Sequence, residues 1–134
     1  MKNIVLLFIF GLFLFTSCDK KGKQDGIWDD NIELSVKDVE FGVEADSVLI
    51  STKGDWWWVC EITFNDSINA IDSTINLEAD SYSIIGNNYV IERRDKNSLF
   101  VKLDENKTGK ERVLLIGLEA GDYFDHVKIM QLAN

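Results

Sequence analysis

The sequence predicts an all-β domain, a sandwich of two antiparallel sheets, on three observations. Short apolar runs recur with a period near two from Ile32 onward, clusters of Gly, Asp, Asn and Ser separate them, and no stretch sustains helical spacing. The first two strands are read at residues 33–36 and 39–43, where Leu34, Val36, Val39, Phe41 and Val43 alternate with polar or small neighbours. A third, 47–52, follows the Ala45-Asp46 turn. The fourth, 56–64, opens after Lys53-Gly54-Asp55 with three consecutive tryptophans. A fifth is read at 74–77, inside a segment, 65–83, whose Ile68, Ile71, Ile75 and Leu77 also permit a short helix or an irregular loop. Strands at 89–93, 99–103, 111–118 and 123–131 are each introduced by a turn cluster: Gly86-Asn87-Asn88, Asp95-Lys96-Asn97, Asn106-Lys107-Thr108-Gly109 and Ala120-Gly121-Asp122. Strands spaced this closely favour two packed sheets.

The first 17 residues have a different character. Lys2 supplies a positive start, and residues 4–15 form an apolar run broken only by Gly11. That run has the length of a signal h-region and falls short of the roughly 20 residues a membrane-spanning helix needs. It ends in Leu14-Phe15-Thr16-Ser17-Cys18, which resembles the lipobox of bacterial lipoproteins, where small residues precede a cysteine that becomes acylated. The expected organisation is therefore a lipoprotein signal peptide at 1–17, a lipid-anchored tether at 18–30 beginning at Cys18, and one domain at 31–134. Two or more acyl chains hold a protein at a membrane stably where one does not. The chain is thus expected at the outer membrane, facing either the periplasm or the outside. The dozen residues after Cys18, rich in Lys, Gly and Asp apart from Trp28, span roughly 40 Å when fully extended.

Removing 17 of 134 residues leaves 117, enough for one hydrophobic core and too few for two comfortable domains. Lys2 is the only charge removed, so the net charge of −9 becomes −10. Nucleic acid is an unsuitable partner for such a surface, since phosphate neutralisation needs clustered Lys and Arg. With Cys18 acylated, Cys60 has no partner for an intramolecular disulfide. It lies in an apolar run and is expected to be buried and inert.

Several features together resemble the BACON domain, an immunoglobulin-like β-sandwich family frequent in Bacteroidetes proteins. In the C-terminal half these are Asn106, Thr108, Gly109 and Arg112, the apolar run 113–118, the Gly121 turn and the closing Val127-Lys128-Ile129-Met130-Gln131. In the N-terminal half they are Val39-Glu40-Phe41-Gly42, Val48-Leu49-Ile50-Ser51-Thr52 and Gly54-Asp55-Trp56. The central segment 65–88 does not match. The resemblance implies an immunoglobulin-like sandwich and a binding or spacer module, with carbohydrate as the family's proposed ligand; it supplies no defined set of sugar-contacting residues.

A sugar site needs an aromatic face for the apolar side of a pyranose and polar side chains for its hydroxyls. Strict alternation along 56–64 places Trp56, Trp58, Cys60, Ile62 and Phe64 on a core face and Trp57, Val59, Glu61 and Thr63 on the other, which makes Trp57 the candidate ligand-contacting tryptophan. Tyr82, Tyr89 and Tyr123 lie at or beside loops, where sandwiches carry their binding residues, and join Trp57 as candidates. Catalytic residues and cofactors are not expected. His126 is the only histidine, and no Gly-x-Ser-x-Gly motif is present. The acidic pairs Asp29-Asp30, Asp104-Glu105 and Asp122 with Asp125 read as solvated loop carboxylates. The lipobox-like ending and the BACON resemblance together imply a noncatalytic, lipid-anchored module that binds glycan or mediates adhesion, the alternative being a structural or protein-interaction module of an envelope complex.

Overall fold

The computed structural model describes residues 29–134; the expected signal peptide, Cys18, all but the end of the tether and Trp28 lie outside the described residues. Nine strands follow in order: β1 (Asp38–Phe41), β2 (Asp46–Ser51), β3 (Trp58–Phe64), β4 (Ser67–Ile68), β5 (Tyr82–Ile85), β6 (Tyr89–Arg94), β7 (Ser98–Leu103), β8 (Arg112–Ala120) and β9 (Tyr123–Gln131). They form two sheets, one ordered β1-β9-β8-β3-β4 and the other β2-β7-β6-β5. Every pairing is antiparallel except β1 with β9, which run parallel. The all-β sandwich expected from the sequence is what forms.

The core lies between the sheets and follows the period-two rule. On β8, Leu114, Ile116 and Leu118 are fully buried while Val113 and Leu115 between them are only partly covered. Val127 and Ile129 on β9, Ile91 on β6 and Leu99, Val101 and Leu103 on β7 complete the facing layers. Each such aliphatic side chain contributes about 1.5–3 kcal/mol by leaving water.

The alternation expected along residues 56–64 breaks at one place. The β3–β8 register shifts between Val59 and Glu61, so that Val59 faces Leu118 and Ile62 faces Ile116, both pairs inside. A bulge at Cys60 absorbs the extra residue and re-phases the strand. Upstream of it, Trp57 points into the core with only 1% of its surface exposed, whereas Trp56 is 65% exposed. This corrects the expected assignment of Trp57 to an outer face. It also corrects Cys60, which is exposed on the outside of the sheet rather than buried. Partial burial, with the Glu119 and Glu61 carboxylates beside it, raises the Cys60 thiol pKa and disfavours the reactive thiolate.

Two further expectations are revised. Residues 74–77 are turns, because Asp72 Oδ1 accepts from the Thr74 backbone and hydroxyl (2.9 and 2.8 Å) and Asn76 Oδ1 accepts from Glu78 N (3.1 Å), both local bonds that compete with a ladder. Ile71, Ile75 and Leu77 nevertheless pack against the core from this loop. The strands in the region are the two-residue β4, paired with the end of β3, and β5, which forms a hairpin with β6 across Gly86-Asn87-Asn88. Residues 33–36 make only the isolated bridge Leu34–Thr52.

Candidate functional site

At one end of the sandwich the three tryptophans diverge and form an open cleft. Trp57 plugs the end from inside: its Nε1 donates to Thr52 Oγ1 at 3.0 Å, and Thr52 Oγ1 in turn donates to Gly54 O at 2.7 Å. The Arg93 guanidinium lies over the Trp57 ring, 4.5 Å from its centroid. Arg93 is itself only 3% exposed, and it donates to the carbonyls of Lys96 (3.2 Å), Ala79 (3.1 Å) and Asp55. Burial lowers its pKa, and the three carbonyls give the charge the partners it has lost from water.

Those bonds also fix the walls of the cleft. Arg93 joins the loop before β5, the β6–β7 turn and the segment leading into β3. Lys96 N donates to Asp80 O at 2.9 Å and Asp95 N to Ser81 Oγ at 3.0 Å, pinning the turn against the same loop. The resulting cleft of about 340 Å³ is lined by Asp55, Trp56, Trp58, Glu78, Asp80 and Lys96, with Trp57 and Arg93 as its floor. That volume is at the lower end of small-ligand pockets.

Trp56 is the projecting wall. It meets Trp58 edge to face, ring centroids 5.5 Å apart and planes at 76°. Trp58 is half-buried and held by its Nε1 donating to Glu119 Oε2 at 3.1 Å. Trp56 leans over the β8–β9 turn at Gly121, where φ is +61° and a Cβ would come within 3.2 Å of the indole. Glycine at this position therefore serves both the left-handed turn and the seating of the tryptophan. The exposed Phe124 lies one strand beyond Glu119 on the same outer face.

The other expected site residues are dispersed. Tyr82 starts β5 near the cleft end, but its hydroxyl accepts from Val59 N at 3.0 Å across the sheets and its ring is partly packed on the core. Burial raises its pKa. Tyr89 is buried at the opposite end, with its hydroxyl accepting from Asn69 Nδ2 at 3.0 Å and its ring 5.7 Å from Phe64. Tyr123, on the β9 edge of the cleft end, donates to Asp125 Oδ2 at 3.1 Å. Burial first, and then the adjacent Asp125 carboxylate, raise its pKa. Asp125 also holds Lys37 Nζ at 2.6 Å. Burial acts to raise the Asp125 pKa, but the bonds from Lys37, the His126 backbone and Tyr123 outweigh it and lower the value. Trp57, Tyr82, Tyr89 and Tyr123 thus do not share a rim. The exposed aromatic at the cleft is Trp56, which alternation alone had assigned to the core; what reverses its side is the bulge at Cys60.

A groove of about 590 Å³ near Asn65, Thr108, Lys110 and Leu115 is larger but has no aromatic lining. Among the described residues no three of His, Cys, Asp or Glu gather as a metal site. Asp30 and Asp125 meet at Lys37 Nζ (4.0 and 2.6 Å) beside Tyr123, whereas Asp104 belongs to the opposite end of the sandwich.

Comparison with solved structures gives the same fold. A Bacteroides thetaiotaomicron protein solved by NMR matches with a TM-score of 0.66 and 23% identity over 84% of this chain and 94% of its own. A Bacteroides ovatus GH5 xyloglucanase in complex with a XXXG heptasaccharide aligns at a TM-score of 0.48 and 17% identity, over 77% of this chain but 19% of the enzyme, a likeness too slight to carry an argument. No family model and no curated protein matches the chain.

Proposed function

We propose that this chain is a noncatalytic, lipid-anchored module of the bacterial cell envelope that binds glycan in the Trp56–Trp58 cleft. The supporting observation is the 65% exposure of Trp56 beside a cleft edged by Asp55, Glu78 and Asp80. An indole face open to water takes the apolar face of a pyranose ring, while carboxylates accept hydrogen bonds from its hydroxyls. The walls are fixed by the Arg93 bonds before any ligand arrives, so little ordering is charged against affinity. A single stacking platform on a small cleft implies weak affinity per site, offset when many copies are anchored on one surface. The lipobox-like ending at Cys18 and the resemblance to BACON domains support the envelope setting and the glycan class.

A panel of neutral plant and host oligosaccharides titrated against wild type and Trp56→Ala tests the binding. Millimolar or tighter binding that the variant loses supports the reading; no binding across the panel overturns it. Mass spectrometry of the chain from bacterial membranes is expected to find an acylated N-terminus at Cys18, and an unacylated N-terminus elsewhere removes the anchor.

The second reading, a protein-interaction module, rests on the outer face of the other sheet, where Leu49 (58% exposed) and Ile85 (78% exposed) occupy the two edge strands with Phe100 and Val90 between them. The Arg94 guanidinium covers the Phe100 ring at 3.8 Å, which interrupts this strip. Crosslinking in membranes that returns one specific partner through Leu49 or Ile85 favours it over glycan binding.

A further inference from the structure

We infer that the cleft selects uncharged sugars and rejects their uronate and sulfate counterparts, an inference that rests on the glycan reading above. The argument is the balance of charge around Trp56. Asp55, Glu78 and Asp80 line the cleft, and Glu119 stands behind Trp58. The cations facing these four carboxylates are Arg93 and Lys96.

Arg93 is not free to receive an anion, and Lys96 is outnumbered by the carboxylates around it. Arg93 is buried, lies over Trp57 and spends its Nε, Nη1 and Nη2 donors on backbone carbonyls that define the cleft walls, so turning it outward would dismantle the site. Lys96 Nζ is 3.9 Å from Asp80 Oδ2, and its side chain is half exposed. Recognition of a carboxylate or sulfate calls for a free arginine fork or a lysine that outweighs its neighbours. Here an incoming anion meets a net negative edge on a chain whose overall charge is −9. A neutral sugar meets acceptors suited to its hydroxyls and suffers no repulsion. The carboxylates therefore act as binding groups for one class and as a barrier to the other.

The test uses matched pairs: each neutral oligosaccharide that binds is compared with its C6-oxidised uronate form by titration of the full mature chain. At low salt the uronate is expected to bind about fivefold more weakly or worse, and the gap to narrow as salt rises toward ~0.5 M while neutral binding stays level, because like-charge repulsion is screened. The double variant Glu78→Gln/Asp80→Asn, checked for native spectra, is expected to narrow the gap at low salt. If that variant fails to fold, the salt dependence of the wild-type pair decides alone. Uronates that bind as tightly as neutral sugars and lose binding in Trp56→Ala overturn the selectivity and leave the glycan reading intact; absence of binding by either class overturns both.

Discussion

The two ends of the sandwich are each plugged by a buried arginine, and they differ in what lies outside the plug. At the end opposite the cleft, Arg112 is 3% exposed and donates to Gln131 Oε1 (3.0 and 2.6 Å) and Asp104 O (2.6 Å). Gln131 Nε2 donates in turn to the carbonyls of Val43, Glu44 and Asp104, and Asn106 Nδ2 to those of Lys110 and Leu132. Side-chain amides thus stitch the β1–β2 loop, the β7–β8 loop and the segment after β9 together, and the aromatics nearby, Phe41, Phe64 and Tyr89, are packed inward. At the cleft end Arg93 performs the same sealing role over Trp57, yet Trp56 is left standing in water beside carboxylates. Two ends solve the problem of closing a sandwich with the same chemistry, and one of them carries an extra exposed aromatic that closure does not need. That surplus is what singles out the cleft end as the candidate site.

Substitutions at the two plugs sharpen this comparison. Trp57→Ala is expected to have the largest effect, destabilising by about 3–5 kcal/mol through a core cavity and the loss of the stacking surface under Arg93. Chemical denaturation checks it; a loss under 1 kcal/mol contradicts the assignment of Trp57 to the core. Arg112→Ala follows at about 3 kcal/mol, since it removes both donors to Gln131 Oε1 in a buried setting and one of the two donors to Asp104 O, and it should leave sugar binding unchanged in the folded fraction. A drop in affinity without unfolding would show that the two ends are not independent.

Asp125→Asn comes next, at about 1–3 kcal/mol, because it breaks the Lys37 pair and the Tyr123 bond at a largely covered carboxylate. The folded pKa of Asp125 is lowered, so its stabilisation is present above the unfolded value near 4 and is lost as pH falls through the depressed one. Stability curves of wild type and Asp125→Asn should therefore run apart at neutral pH and converge below pH ~4; curves that stay parallel into acid would refute the assignment. Trp56→Ala is the smallest in stability, within about 0.5 kcal/mol, while removing glycan binding. Equal loss of stability and binding would mean that Trp56 is a packing residue.

The sandwich was legible because most strands obey period two without interruption: on β8 and β9 the more buried residues alternate with half-covered or exposed ones as the sequence predicts. The cleft was not, because one inserted residue at Cys60 inverts every inference drawn upstream of it. Counting back from Ile62 and Phe64 assigns Trp56 inward and Trp57 outward, the reverse of what forms. β5 was missed for a related reason. It is four residues long, one of its faces is Ser83 and Ile85, and the Asx turns before it imitate the spacing of an apolar strand at 74–77. Tyr82, Tyr89 and Tyr123 look alike in sequence as loop-flanking aromatics, and what separates them is the hydroxyl partner each finds only after folding: Val59, Asn69 and Asp125.

The contrast between the ends is tested most directly by following the backbone N–H resonances and the indole N–H resonances of the tryptophans during titration with a neutral oligosaccharide from the panel. The account predicts that the Trp56 signal moves with saturation, the Trp58 signal moves less, and the signals of Trp57 and of the Arg112–Gln131 end stay in place. Perturbations confined to the sealed end or to the Leu49–Phe100 face, with Trp56 unmoved, would contradict it.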